Sequence, residues 1–302
     1  MENFDKFKSG FIAIIGRPNV GKSTFLNKVV GKKVAIMSDK PQTTRNKILG
    51  IMTKDNYQIA FTDTPGIHKT KTELGERMVE ASFSATKDVD LVIFMTTPVK
   101  EVLKGDEIIL SKLKKNTKVF LVINKVDQLK KFNDIDLTIA KYMNLFPFQG
   151  IYPISIKDNK NMDILLEDIL KYIPYGPKYY PDDMVSDHSN SFLISELIRE
   201  KILLLTKEEV PHSVAVVVDM MEEAENDYLD IYANIILEKD SQKRIIIGKD
   251  GDMIKRIKES AIKDIKKLLN RKVHLNLWVK IKKDWKNKPS ELANLGYKKD
   301  YM

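Results

Sequence analysis

Along the first 172 residues, short apolar runs alternate with longer segments whose apolar positions recur at three- and four-residue steps. The runs at 11–15, 47–52, 57–62, 91–96, 118–123 and 151–154 read as strands. Helical periodicity covers 22–30 (with Gly31 as its stop), 74–87, 106–115, 135–145 and 162–172. Strands alternating with helices predict an α/β fold, a mostly parallel six-stranded sheet covered on both faces. Strands 47–52 and 57–62, joined through Lys54-Asp55-Asn56, instead predict an antiparallel hairpin at one edge.

Ile173-Pro174-Tyr175-Gly176-Pro177, followed by Pro181-Asp182-Asp183, breaks this rhythm. The reading is a first domain over 1–175, a linker over 176–190 and a smaller α+β domain over 191–302. In the second part a helix (192–205) precedes two strands (213–221, 228–238), a second helix (253–269) and a last strand (273–281). Ile254, Ile257, Ala261, Ile265 and Leu268 form one apolar stripe, with Lys255, Lys258, Lys263, Lys266 and Lys267 mostly elsewhere. Val273, Leu275, Leu277, Val279 and Ile281 alternate, so one face of the last strand is core.

Composition narrows the picture. The 302 residues include no cysteine, which excludes disulfides and Cys-ligated metal and fits a reducing compartment. No apolar run reaches the ~18 residues of a membrane span, and the opening Met-Glu-Asn-Phe-Asp-Lys-Phe-Lys is unlike a secretory signal. A cytoplasmic protein is expected. The net charge of +9 is unevenly spread. Residues 1–175 carry 28 basic and 20 acidic side chains, 182–238 carry 3 and 14, and 239–288 carry 17 and 6. That last block attracts polyanions such as RNA, DNA or anionic lipid.

Gly16-Arg17-Pro18-Asn19-Val20-Gly21-Lys22-Ser23 lies between a predicted strand and helix and matches the phosphate-binding loop pattern. Its backbone N–H groups, continuing to Thr24, would cradle phosphate at a helix N-terminus. Lys22 would reach the β- and γ-phosphates, and the Ser23 hydroxyl would ligate Mg²⁺. In Asp63-Thr64-Pro65-Gly66, Asp63 would approach the Mg²⁺ through water and the Gly66 N–H would bind the γ-phosphate. In Ser38-Asp39-Lys40-Pro41-Gln42-Thr43-Thr44-Arg45, Thr44 is favoured over Thr43 to complete the Mg²⁺ shell and position water.

Asn124-Lys125-Val126-Asp127 ends a predicted strand and selects the base. The Asp127 carboxylate can accept two hydrogen bonds from guanine N1–H and N2–H₂, a donor pair that adenine lacks. Asn124 would brace the loop, the Lys125 stem would cover the ring, and the backbone of Ser155-Ile156-Lys157 would meet guanine O6. Ile67 stands where a water-orienting Gln would be needed, so intrinsic hydrolysis should be slow or differently organised. By likeness to GTPases with Asn at this loop position, Asn19 is a candidate K⁺ holder near the β/γ bridge. His68 reads as exposed loop rather than general base.

Gly248-Lys249-Asp250-Gly251, preceded by Ile245-Ile246-Ile247 and followed by a helix, fits the GXXG loop of a KH domain. Its helix–strand–strand–(short helix)–GXXG–helix–strand order is that of type II KH domains. Ile247, the loop, and Lys255 and Arg256 beyond it are the candidate RNA contacts.

The nucleotide motifs in this order resemble the translation-factor-like GTPases. Joined to one type II KH domain, they resemble the Era family of bacterial ribosome-assembly GTPases over nearly the whole chain, including Val273–Lys280 and the tail from Leu292 to Tyr297. The resemblance implies Mg²⁺-dependent hydrolysis of GTP to GDP by a monomer. It also implies binding to the 3′ end of small-subunit ribosomal RNA, action in rRNA processing and assembly of that subunit, and a peripheral membrane contact attributed to some members. Three other readings stay open. One is a P-loop kinase or ATPase with an incidental basic tail; another is a GTPase whose KH-like fold docks on a membrane surface or protein. The third, a tRNA-modification or tandem-GTPase relative, is disfavoured by the single GTPase unit and the KH tail.

Overall fold

The computed structural model describes residues 6–67, 70–129, 133–207 and 209–297; His68 lies outside them. The first unit runs β1 (Lys8–Gly16), α1 (Lys22–Val30), β2 (Ile48–Lys54), β3 (Tyr57–Asp63), α2 (Glu73–Ser84), β4 (Leu91–Thr96), α3 (Lys104–Lys112), β5 (Val119–Ile123), α4 (Asn133–Met143), β6 (Gly150–Pro153) and α5 (Met162–Tyr172). Its sheet has six strands in the order β2-β3-β1-β4-β5-β6. Every described pairing is parallel except β2 with β3, the expected hairpin.

The period of two within β1 divides the core. Ile12 and Ile14 pack with Phe25 and Leu26 of α1 and Leu165 and Ile169 of α5. Ala13 and Ile15 join Ile109 and Leu110 of α3 and Tyr142 of α4 on the opposite face. β4 is buried at every residue, as a central strand covered on both sides should be. Gly31 closes α1 in the left-handed region, its N–H bonded to the Asn27 carbonyl, where the sequence places the stop.

The connecting segment lies against the hairpin edge. The Ile51 N–H donates to the Val185 carbonyl at 2.9 Å, and Ser186 Oγ donates to the Leu49 carbonyl at 2.7 Å. Covering an edge strand in this way shields its unpaired backbone groups.

The second unit comprises α6 (Asn190–Leu205), α7 (Val210–Ser213), β7 (Ala215–Glu223), β8 (Tyr228–Leu237), α8 (Asp240–Ile247), α9 (Asp252–Leu269), β9 (Lys272–Ile281) and α10 (Pro289–Asn294). Its sheet is ordered β7-β8-β9, with β7 antiparallel and β9 parallel to β8. Ile194, Ile198 and Ile202 of α6 and Ile257, Ala261 and Ile265 of α9 cover one face, which confirms the centre of the predicted stripe. The strand expected from 213 begins at Ala215, because Pro211 starts the helical turn of α7.

The tail holds the two units together. Trp285, Leu292, Leu295 and Tyr297 pack with Ala215 and Ile236 of the second sheet and with Leu74, Met78 and Ala81 of α2. Trp285 is fully buried, with its indole N–H on the Ser213 carbonyl at 3.2 Å. Among the described residues no helix is long and apolar enough to cross a membrane.

Candidate functional site

The loop between β1 and α1 turns through Gly21 at φ +108°, where a Cβ would lie 2.3 Å from the Asn124 amide nitrogen. Glycine therefore serves both the turn and a latch, since Asn124 Nδ2 donates to the Val20 carbonyl at 2.9 Å. Lys22 is buried, its ammonium donating to the carbonyls of Gly16 (3.1 Å) and Arg17 (2.9 Å). Burial pulls its pKa down to about 8, against the opposing charge of Asp63. Pro18, Asn19, Gly21, Ser23, Thr24 and Gly66 help line a cavity of ≈390 Å³. The Arg17 side chain pairs with Asp106 at 2.9 Å instead of entering that cavity.

Three oxygens from three separate elements converge beside Lys22. Ser23 Oγ donates to Asp63 Oδ2 at 2.6 Å and lies 2.9 Å from Thr44 Oγ1, which donates to the same carboxylate oxygen at 3.3 Å. Asp63 is fully buried and, among the described residues, its Oδ1 has no hydrogen-bond partner. Burial pushes its carboxyl above the usual range, while Lys22 opposes the shift. A hydroxyl pair and a carboxylate with an oxygen to spare fit a hard divalent cation, and Mg²⁺ suits them. Thr43 stands apart from this set, its hydroxyl turned to the Lys40 carbonyl at 2.6 Å.

Thr64 is buried, its hydroxyl on the Ile14 carbonyl at 2.8 Å, and the Pro65 carbonyl accepts from Ser82 at 2.8 Å. Gly66 fits tightly against Pro18, whose ring and backbone would lie 2.7 Å from a Cβ. The Ile67 side chain is buried in the core cluster shared with α3, so it can orient no water.

The base loop is built around Asn124. Its Oδ1 accepts from the Ile156 N–H at 3.3 Å, tying the segment after β5 to the one after β6. Val126 is buried, and Lys125 Nζ donates to the Asn19 carbonyl at 2.8 Å. Asp127 is exposed, with Oδ1 accepting from Ser155 Oγ at 2.8 Å. That bond holds an exposed carboxylate able to accept from a planar pair of N–H donors. Lys157 is exposed beside it.

In the second unit, Gly248 joins α8 to the GXXG loop at φ +75°, ψ 177°, where a Cβ would lie 2.7 Å from that of Met253. Ile247 is half-buried, and Lys249, Asp250, Lys255 and Arg256 are exposed. A groove of ≈460 Å³ opens between α9 and β9, lined by Ile254, Lys255, Lys258, Asn276, Leu277 and Trp278. Trp278 is 49% exposed and stacks on Tyr232 with centroids 5.8 Å apart. Motif reading missed Asn276 and Trp278 as lining residues. The alternation along the last strand could have found Trp278, because it turns a large aromatic outward beside a basic helix. It also missed Arg45, which is buried between the two units.

Residues 11–125 match the family model described as 50S ribosome-binding GTPase, and residues 209–286 match that of the KH domain. The chain is 51% identical to the GTPase Era of Clostridium novyi (strain NT) over 293 residues, covering 97% of this chain and 99% of that protein. It is 51% identical to the GTPase Era of Clostridium kluyveri over 292 residues, covering 96% and 99%. Aquifex aeolicus Era, crystallised with GDP.AlF4-, superposes with a TM-score of 0.93 at 38% identity, covering 97% of this chain and 100% of that one. An Era complex with MgGDPNP and nucleotides 1506–1542 of 16S ribosomal RNA also gives 0.93 at 38%, covering 97% and 99%. With both sites built on one chain and the likeness running from end to end, the chain belongs to the Era family of GTPases and uses guanine nucleotide with Mg²⁺.

Proposed function

We propose that this GTPase is an RNA-binding switch that takes the 3′ end of small-subunit ribosomal RNA into the α9–β9 groove and acts in rRNA processing and assembly of that subunit. The observation that carries the reading is the groove itself. It sets lysines and a half-exposed indole side by side, along the helix that the GXXG loop opens. Backbone clamping with base stacking is how single-stranded RNA is held. The related Era complex with 16S ribosomal RNA nucleotides supports the choice of RNA.

In this reading the division at 176–190 separates a nucleotide unit from an RNA unit. Ser23, Thr44 and Asp63 would hold Mg²⁺, which when bound neutralises charge on the β- and γ-phosphates. Lys22 holds the phosphates, and the Gly66 N–H meets the γ-phosphate. Asp127, Asn124 and the Ser155–Lys157 backbone hold guanine. Thr44 positions water in place of a side chain at 67, and Asn19 would hold K⁺, which would supply positive charge to offset that developing on the phosphates. Loss of the γ-phosphate releases the loops at 41–45 and 63–67 and so changes how the RNA unit sits. The molecule acts as a cytoplasmic monomer, with any membrane contact peripheral.

The test is to crosslink and sequence bound RNA in cells, and to measure RNA affinity with a GTP analogue and with GDP. Enrichment of the 3′ end of small-subunit rRNA and a nucleotide-dependent affinity are expected. Equal affinity in both states, with hydrolysis indifferent to RNA, would sink the switch.

A further inference from the structure

The segment that carries Thr44 is held from the RNA-binding unit on both sides of that residue. One position before it, the Thr43 carbonyl accepts from the Arg199 guanidinium of α6. One position after it, the Arg45 guanidinium donates to the carbonyls of Val214 (2.7 Å) and Pro211 (3.2 Å) and lies 3.4 Å from the Tyr297 hydroxyl. Further upstream, the Met37 N–H donates to Glu200 Oε1 at 2.8 Å.

Arg45 is 1% exposed and Arg199 is 0% exposed. Among the described residues Arg45 donates to carbonyls and a hydroxyl, with no carboxylate among its hydrogen-bond acceptors, and its Nε is buried without a partner. Burial holds its pKa below the ordinary guanidinium range. A guanidinium buried on neutral partners is a costly feature for a contact that only glues domains, since an apolar side chain of similar volume does that at least as well. What a guanidinium adds is direction. Its fork fixes a backbone segment against two carbonyls at once.

We propose that Arg45 and Arg199 are positioning residues for Thr44, through which the RNA-binding unit holds the magnesium ligand in place and so sets the affinity for the triphosphate form. The inference deepens the switch reading and rests on it for its biological sense. By linkage, a conformation of the RNA unit that grips residues 43–45 favours GTP, and GTP favours that conformation by the same factor.

Arg45→Met and Arg199→Met test it with no RNA present. Three quantities are read: the Mg²⁺ concentration for half-maximal binding of a non-hydrolysable GTP analogue, GDP affinity, and amide exchange of residues 43–46 in nucleotide-free protein. The expected result is about a tenfold rise in the Mg²⁺ midpoint and about tenfold faster exchange, the loss typical of a hydrogen bond to a charged group, with GDP affinity changed by less than about twofold. A merely structural role would move GDP and GTP-analogue binding together. Arg45→Lys, which keeps the charge without the fork, is expected midway, and it replaces Arg45→Met if the latter does not fold. Wild-type Mg²⁺ midpoints and exchange in Arg199→Met and in whichever Arg45 variant folds would overturn the proposal. If instead wild-type RNA affinity ignores the nucleotide, the switch reading fails while this assignment stands.

Discussion

The Ser155 hydroxyl donates to Asp127 Oδ1 at 2.8 Å, so the carboxylate proposed to read the base is held by the loop after β6 as well as by its own. Asp127→Asn should cost GTP about 100-fold in affinity, roughly the 3 kcal/mol of a charge-assisted hydrogen-bonded pair, and should raise affinity for xanthosine triphosphate. Ser155→Ala, which only frees the carboxylate to rotate, should cost about 1 kcal/mol. Competition binding with the two triphosphates decides it. Unchanged guanine preference in Asp127→Asn would place base recognition elsewhere.

Lys22 gives nucleotide binding a proton signature. Its folded pKa of about 8 lies below the ordinary lysine value of 10.5. Between those values the unfolded chain binds more protons, so this group's penalty is full below pH 8 and is relieved as pH rises to 10.5. A phosphate placed beside Nζ raises the pKa again. GDP binding with Mg²⁺ should therefore take up a proton at about pH 9 and take up none through Lys22 at about pH 6.5. Calorimetry in two buffers of different ionisation enthalpy measures this, and equal uptake at both values would contradict it.

Asn19 reaches across the cavity mouth, its Nδ2 donating to the Asp39 carbonyl at 2.6 Å. With Ile67 buried, charge at the β/γ bridge needs another source of stabilisation. Hydrolysis should run about tenfold faster in K⁺ than in Na⁺, and Asn19→Ala should abolish the difference. Equal wild-type rates in the two salts would remove K⁺ from the site.

Much of this was legible in the sequence, for a physical reason. Gly16–Ser23 is a contiguous loop set by local backbone geometry, Asn124–Asp127 is a contiguous run of polar side chains at a strand end, and the alternating strands and helices fix which end of the sheet those loops share. Thr44 over Thr43 was readable only as a preference; the reason for it, Thr43 turning back to Lys40, is a contact inside the folded loop. The docking of the tail on α2 was not readable. It joins residues as distant as Glu73 and Asn287 through a segment too short to show periodicity.

That docking makes Trp285 a measurable keystone. It is fully buried, stacks on Tyr297 with centroids 5.9 Å apart, and lies 5.9 Å from the Arg45 guanidinium. Trp285→Ala should cost about 3–5 kcal/mol, as buried aromatic truncations do. Because Leu74, Met78 and Ala81 share its cluster, amide protection in α2 should fall with it. A thermal scan with hydrogen exchange reads both, and a drop in melting temperature that leaves α2 protected would confine the tail to the RNA unit.

Trp278 separates stacking from charge in the groove. Its indole is half-exposed, whereas Lys255 and Lys258 supply charge from α9. Trp278→Ala should weaken single-stranded RNA by about 1–3 kcal/mol and leave the salt slope as it was. Lys258→Gln should weaken RNA less at high salt and reduce the slope by about one counterion. Gly251 has open space around its Cβ position, so Gly251→Asp introduces a like charge against phosphate with only the local strain of φ +81°. It should abolish RNA binding at moderate ionic strength while hydrolysis of GTP persists. If it spares RNA binding and Trp278→Ala does too, the basic face serves a protein or a membrane surface, and the GXXG loop is no clamp.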